Sequence, residues 1–160
     1  VSHVAFVGIG SNLDAPQARV LAAFDALDGL PQTRLTGRSP LYRSAPLGGP
    51  PQPDYVNAVA RIETALAPQA LLGALLAIEA AQGRVRGEVN APRTLDLDLL
   101  LYDTARCTQP GLRLPHPRMH ERRFVLVPLL DLEPEATIPG QGAAAEWLAR
   151  CAAQPLERIT

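Results

Sequence analysis

The chain contains no lysine. All 15 of its cationic side chains are arginine, which excludes a Walker A phosphate loop and a Schiff-base nucleophile, since both need a lysine amine. Cysteine is nearly absent too. Cys107 and Cys151 are far apart, belong to no CxxC or Cys/His pattern, and offer neither a disulfide framework nor a zinc site. No apolar run approaches the roughly 20 residues that cross a bilayer, and the opening VSHVAFVGIG goes into strand-like residues without a basic leader. A cytoplasmic location and no membrane contact are the expectation. Net charge is scarce as well: at −1 overall there is no basic surplus to draw nucleic acid or an acidic membrane surface.

What is present is the composition of a globular protein, 47% hydrophobic and 19% charged, over a length suited to one domain spanning residues 1–160. Sixteen prolines and twelve glycines punctuate loops. Charge is unevenly placed. Residues 84–123 carry eight arginines against five acids, a local surplus of +3, and the remainder is −4.

Hydrophobic periodicity predicts a strand over 3–9, a helix over 16–27 with Val20, Leu21, Phe24 and Leu27 on one face, and a second strand over 33–43 with an edge or bulge at Pro40. A proline-rich loop at 44–55 leads to a strand over 55–62 and a helix over 68–82, with Pro68 near its start and Gly83 after its end. A second polar loop, GRVRGEVNAPR, leads into a strand in the run PRTLDLDLLLYD (92–103); a short strand near 112–114 follows, then a short helix in FVLVPLLDL and a last helix over 144–152, which Trp147 packs onto the domain. The order β α β β α β predicts a ferredoxin-like α+β sandwich with a mainly antiparallel sheet and additional helices.

The segment PRTLDLDLLLYD, residues 92–103, sets Asp96 and Asp98 inside an apolar run. Alternation in a strand turns Leu95, Leu97 and Leu99 to the core and both acids to the other face, with their Cα atoms about 6.5–7 Å apart. Two carboxylates that close repel unless a cation intervenes. Hard oxygen donors without His or Cys favour Mg²⁺, and a Mg²⁺ ion held by two carboxylates keeps positions for water and phosphate oxygens. Arginine grips phosphate bidentately, and Arg84, Arg86, Arg93 and Arg122 stand in flanking loops and helix ends. The pattern points to metal-assisted phosphoryl transfer. GIGSN at 8–12 lacks the third glycine of a dinucleotide fingerprint, because Leu13 stands there. Ser11 or Asn12 is expected to bond to backbone at the following helix start.

The motifs GIGSNL (8–13), LYRSAPLG (41–48), QPDYVNAV (52–59), IEAAQGRVR (78–86), PRTLDLDLLLYD (92–103) and LPHPRMHERRFVLVPLLDLEP (114–134) together closely resemble 6-hydroxymethyl-7,8-dihydropterin pyrophosphokinase, over about residues 4–139. The resemblance implies transfer of pyrophosphate from ATP to a reduced pterin in folate biosynthesis, with two Mg²⁺ ions on Asp96 and Asp98. It implies catalytic roles for Arg84, Arg93, Asp96 and Asp98, and ATP contacts from Glu79, Arg86, Arg93, His116 and Arg122. The pterin would stack between Tyr55 and Phe124, bond Asn57 at its edge, and be lined by Ser44, Pro46 and Leu47. A monomer is expected. The family's Trp before the Pro-Arg pair is missing here, Asn90 standing near its place in a loop that is slightly short, and Gly87 gives that loop a hinge.

Tyr55 and Asn57 suit such a ligand on their own chemistry, since residues two apart in a strand share a face and can pair a stacking ring with an amide. The Pro115-His116-Pro117 turn fixes where its imidazole points. His120 reads as a plain helix-surface residue. Three rival readings exist. A nucleotidyltransferase needs its G-S helix start close before the DxD, whereas Ser11 and Asp96 are 85 positions apart; a DxD glycosyltransferase needs a longer chain; a ferredoxin-like sensor would bind a small molecule without consuming ATP.

Overall fold

The computed structural model describes residues 2–46, 51–83 and 94–160. Its first half runs β1 (His3–Ser11), α1 (Pro16–Asp28), β2 (Thr33–Arg38), β3 (Tyr42–Ser44), β4 (Tyr55–Thr64), α2 (Pro68–Ala81) and β5 (Asp96–Tyr102). The strand expected over 33–43 is therefore two. Pro40 interrupts it, lacking an N–H for the ladder, and the Ser39 hydroxyl accepts the Val59 N–H instead, at 2.8 Å. The second half adds a hairpin of β6 (Cys107–Gln109) and β7 (Leu112–Leu114), a 3-10 turn (Met119–Glu121), α3 (Arg123–Leu132), the pair β8 (Thr137–Ile138) and β9 (Gly142–Ala143), α4 (Ala144–Arg150) and β10 (Glu157–Arg158).

The main sheet is ordered β10-β3-β4-β1-β5, with β2 pairing the other end of β4, and every pairing in it is antiparallel. This is the ferredoxin-like α+β arrangement, with α3, α4 and the hairpin as additions. The small β10 was not foreseen.

Each face of the sheet buries its own core. On one side Val7, Ile9, Ala58, Ile62, Leu97 and Leu99 meet Val20, Phe24 and Leu27 of α1 and Leu71 and Leu75 of α2. On the other, Phe6, Val59, Leu100 and Leu101 meet Met119 and Leu126 and Leu129 of α3. Each large apolar side chain buried this way contributes about 1.5–3 kcal/mol, which is what holds helices to both faces. A bulge opposite Phe6/Val7 inserts one residue into β5, so Leu100 and Leu101 both serve the second core. Helix α3 starts only at Arg123. Beyond its N-terminus the sheet face it covers is open, and the acidic strand lies there.

Candidate active site

The site is set by strand register. Asp96 lies opposite Gly10 and Asp98 opposite Gly8 across β5 and β1, while Gly10 lies opposite Asn57 across β1 and β4. Asn57, Gly10 and Asp96 thus form one row across three strands, spaced at about 4.8 Å per strand, so amide and carboxylate backbones are about 10 Å apart. Directly opposed residues share a face. Tyr55 joins that face two residues before Asn57, and Ser44 lies opposite Tyr55 on β3. The expected alternation holds: Leu95, Leu97 and Leu99 are buried, and Asp96 and Asp98 are half-exposed.

Glycine makes the floor. A Cβ at Gly10 would stand 3.5 Å from the Asn57 Oδ1 and 3.6 Å from the Tyr55 ring, so anything larger would project into the space beside both. Over this floor opens a cleft with about 720 Å³ of empty space, open mouth included, within the range of small-molecule sites. Its walls include Pro46, Tyr55, Asn57, Asp96, Asp98, Arg122 and Phe124. Sequence reasoning did not single out Gly8 or Gly10 as floor, nor Gln52 as wall; the signal available was the i, i+2 spacing of the glycines within a strand.

Asn57 is 4% exposed and donates through Nδ2 to the Ser44 hydroxyl at 2.7 Å, which fixes its amide orientation. Asn12 is buried, and its Nδ2 donates to Gln52 Oε1 at 2.7 Å and to the Pro53 carbonyl at 3.0 Å. Ser11 donates to the Thr94 carbonyl. The N-cap residue of α1, Ala15, supplies no side-chain cap of its own. The expected bond to backbone near the helix start is made by Ser11, whose hydroxyl also reaches the Leu13 carbonyl at 3.4 Å; in addition both side chains bond to segments distant in sequence, Asn12 to the proline-rich loop and Ser11 to the entry to β5.

On the other flank, the PHP turn docks on β5 through a His116 N–H bond to the Leu100 carbonyl, 2.9 Å. The imidazole Nδ1 accepts the Arg118 N–H at 3.1 Å, and Nε2 stands 3.9 Å from Asp98 Oδ1. Burial lowers the His116 pKa to about 4, helped by Arg122 and Arg118 and opposed by Asp96. The ring is therefore neutral near pH 7 and its proton sits on Nε2, so its approach to Asp98 is a polar contact rather than an ion pair. Burial likewise lowers the Arg122 pKa, while Asp98, Asp96 and Glu121 favour its charge. Its guanidinium lies over the Phe124 ring, 5.7 Å from the centroid. Helix α3 thus opens by presenting a cation towards the carboxylates and an aromatic ring to the cleft.

Glu79, at the end of α2, is 3% exposed, and its carboxylate accepts the Leu97 N–H at 2.7 Å. It reaches the acidic strand between the two aspartates, from the helix-covered side. Leu47, Arg84, Arg86, Arg93 and the hinge and Trp-replacing positions Gly87 and Asn90 lie outside the described residues. His120 is not a surface residue: its ring packs edge-on against Trp147, centroids 4.7 Å apart, and its side chain is 15% exposed. Among the described residues no cluster of three or more His, Cys, Asp or Glu side chains could hold a metal. The two aspartates are hard, oxygen-only donors beside a cleft, which fits Mg²⁺ shared with phosphate oxygens and does not fit zinc.

The model of the family 7,8-dihydro-6-hydroxymethylpterin-pyrophosphokinase matches residues 6–134. The chain is 49% identical over 154 residues to 2-amino-4-hydroxy-6-hydroxymethyldihydropteridine pyrophosphokinase of Pseudomonas aeruginosa, covering 96% of this chain and 95% of the relative. To the enzyme of the same name from Haemophilus influenzae it is 45% identical over 142 residues, 89% of each chain. Among solved structures, an HPPK-DHPS in complex with substrates superposes with a TM-score of 0.75 at 13% identity, covering 92% of this chain. That likeness concerns the fold, and the chain spans 43% of that longer protein. With a family match over most of its length and relatives aligned nearly end to end, the chain belongs to the 7,8-dihydro-6-hydroxymethylpterin-pyrophosphokinase family.

Proposed function

We propose that the chain transfers the β,γ-pyrophosphoryl group of ATP to the hydroxymethyl oxygen of 6-hydroxymethyl-7,8-dihydropterin, a step of folate biosynthesis. One observation carries the reading beyond family membership: Asn57, Gly10 and Asp96 occupy one cross-strand row, so a flat heterocycle's pocket and a carboxylate pair share one face. A bond forms between the pterin hydroxyl oxygen and the β-phosphorus. The bond from that phosphorus to the α,β-bridging oxygen breaks, AMP leaves with the oxygen, and the hydroxyl proton is released.

Asp96 and Asp98 would hold two Mg²⁺ ions, which supply charge neutralisation at the phosphates and a lowered pKa for the attacking hydroxyl. The protein's part is placement and electrostatics. Tyr55 and Phe124 stack the pterin, the Ser44-oriented Asn57 amide reads its edge, and Pro46 and Leu47 line the pocket. His116, a neutral donor through Nε2, and Arg122 face the nucleotide. Arg84 and Arg93 stabilise charge on the transferred and leaving groups, Arg86 grips phosphate, and Glu79 serves the nucleotide side through the strand it supports.

The chain acts in this reading as one domain, a monomer and a cytoplasmic protein. Among the described residues no helix is long and apolar enough to cross a membrane. Incubation with ATP, Mg²⁺ and the hydroxymethyl pterin, followed by measurement of AMP, tests the proposal. AMP must appear only when the pterin is present; ATP left intact would overturn it.

A further inference from the structure

Both walls that clasp the pterin pocket are tied to the chain's last residues. At the start of α3, the side chain of Gln154 accepts the Arg123 N–H through Oε1 (2.9 Å) and donates through Nε2 to the Glu121 carbonyl (2.7 Å). Its own carbonyl accepts from Arg123 Nη1 at 2.8 Å. An amide N–H in the first turn of a helix has no intrahelical partner, so Gln154 satisfies one of α3's orphan donors and fixes the direction from which the helix begins. Arg122 and Phe124 flank the bonded Arg123 on either side.

Three residues later the same segment becomes β10. Glu157 pairs Arg43 and Arg158 pairs Tyr42 on β3. The Ile159 N–H donates to the Leu41 carbonyl at 2.8 Å, and the Thr160 hydroxyl accepts the Leu41 N–H at 2.9 Å. Ile159 also packs on the core beneath. Strand β3 is only three residues long, and it carries Ser44, whose hydroxyl orients Asn57. Without β10 it would be an edge strand held on one side. The outer Arg43–Glu157 contact, 3.3 Å and exposed, contributes little; the backbone ladder is what holds.

We infer that residues 154–160 are a positioning strap for the pterin pocket, in which Gln154 sets the Arg122–Phe124 wall and the strand after it sets the Ser44–Asn57 wall. The strap touches neither substrate in the proposed reaction. The inference rests on the functional reading above for the names of the ligands, and on the hydrogen bonds alone for the mechanical link.

Two substitutions separate its halves. Ile159→Pro removes the donor to Leu41 and loosens β3; the KM for the pterin should rise about fivefold while the KM for ATP stays within about twofold. Gln154→Met keeps volume and removes both amide bonds, so it should raise both KM values by about fivefold, because Arg122 faces the nucleotide and Phe124 the pterin. Gln154→Glu retains the acceptor for the Arg123 N–H and should recover part of the loss. Assayed well below the melting temperature, a variant that melts earlier with both KM values unchanged would show a merely structural tail and overturn the inference. Should the unsubstituted protein yield no AMP, the functional reading fails by itself. The strap is then judged by amide hydrogen exchange: faster exchange at residues 43–45 in Ile159→Pro and 123–125 in Gln154→Met supports it, and unchanged exchange overturns it.

Discussion

At the scale of single residues the aspartates carry the sharpest test. Asp98 is 37% exposed in its side chain, and Asn keeps its size while removing the charge that faces Arg122, so Asp98→Asn should cost no more than about 1–2 kcal/mol of stability. Turnover should nonetheless fall about 10²- to 10³-fold, as when a group that offsets developing charge is removed. Urea unfolding and an AMP assay on one preparation check both halves. His116 supplies a pH prediction for the metal-free protein. Its folded pKa is about 4, below the ordinary 6.5, so between these values the unfolded chain binds more protons than the folded one. Stability attributable to this residue is therefore full above pH 6.5 and declines as pH falls towards 4. An NMR titration of the imidazole should give a midpoint near 4, and His116→Asn should flatten the decline; a midpoint near 6.5 would contradict the burial argument. The facing of Asp96 and Asp98 was legible because strand periodicity is two and the flanking leucines had to be buried. The local bond of Ser11 was legible, but the bonds of Ser11 and Asn12 to Thr94, Gln52 and Pro53 were not, because those partners are brought beside them only by the tertiary fold.

At the scale of elements, β1 works by what it omits. Gly10 leaves the floor open between Asn57 and Tyr55. Gly10→Val would place branches in that space at an overpacking cost that weakens pterin binding by about 10- to 100-fold, while ATP affinity measured by calorimetry stays within about twofold. Helix α2 supports β5 through Glu79. Glu79→Leu leaves the buried Leu97 N–H without this acceptor and should cost about 1–3 kcal/mol of unfolding free energy; Glu79→Gln, which keeps an acceptor oxygen, should cost less. The long elements were readable from their patterns, since α1, α2, β1, β4 and β5 each bury a face large enough to impose a period. Strand β10 was not. Two exposed residues have no periodicity, and their strand character comes wholly from the edge of β3, more than a hundred positions earlier.

At the scale of the whole molecule, the sheet has two differently covered faces, and the candidate site lies where one cover stops. Helices α1 and α2 seal one side completely enough to fix the register of β1, β4 and β5. That register then delivers an amide, a glycine floor and a carboxylate in one row on the other side. No local motif contains this arrangement; it arises when three strands far apart in sequence are brought together, which is why the motifs suggested a chemistry but not its geometry. The central claim is that the hydroxyl attacks the β-phosphorus of ATP, so that two phosphates move together. ATP labelled with ³²P at the β position tests it most directly. The label should leave with the pterin, and the unlabelled nucleotide product should be AMP; label retained in ADP, with a singly phosphorylated pterin, would contradict attack at the β-phosphorus.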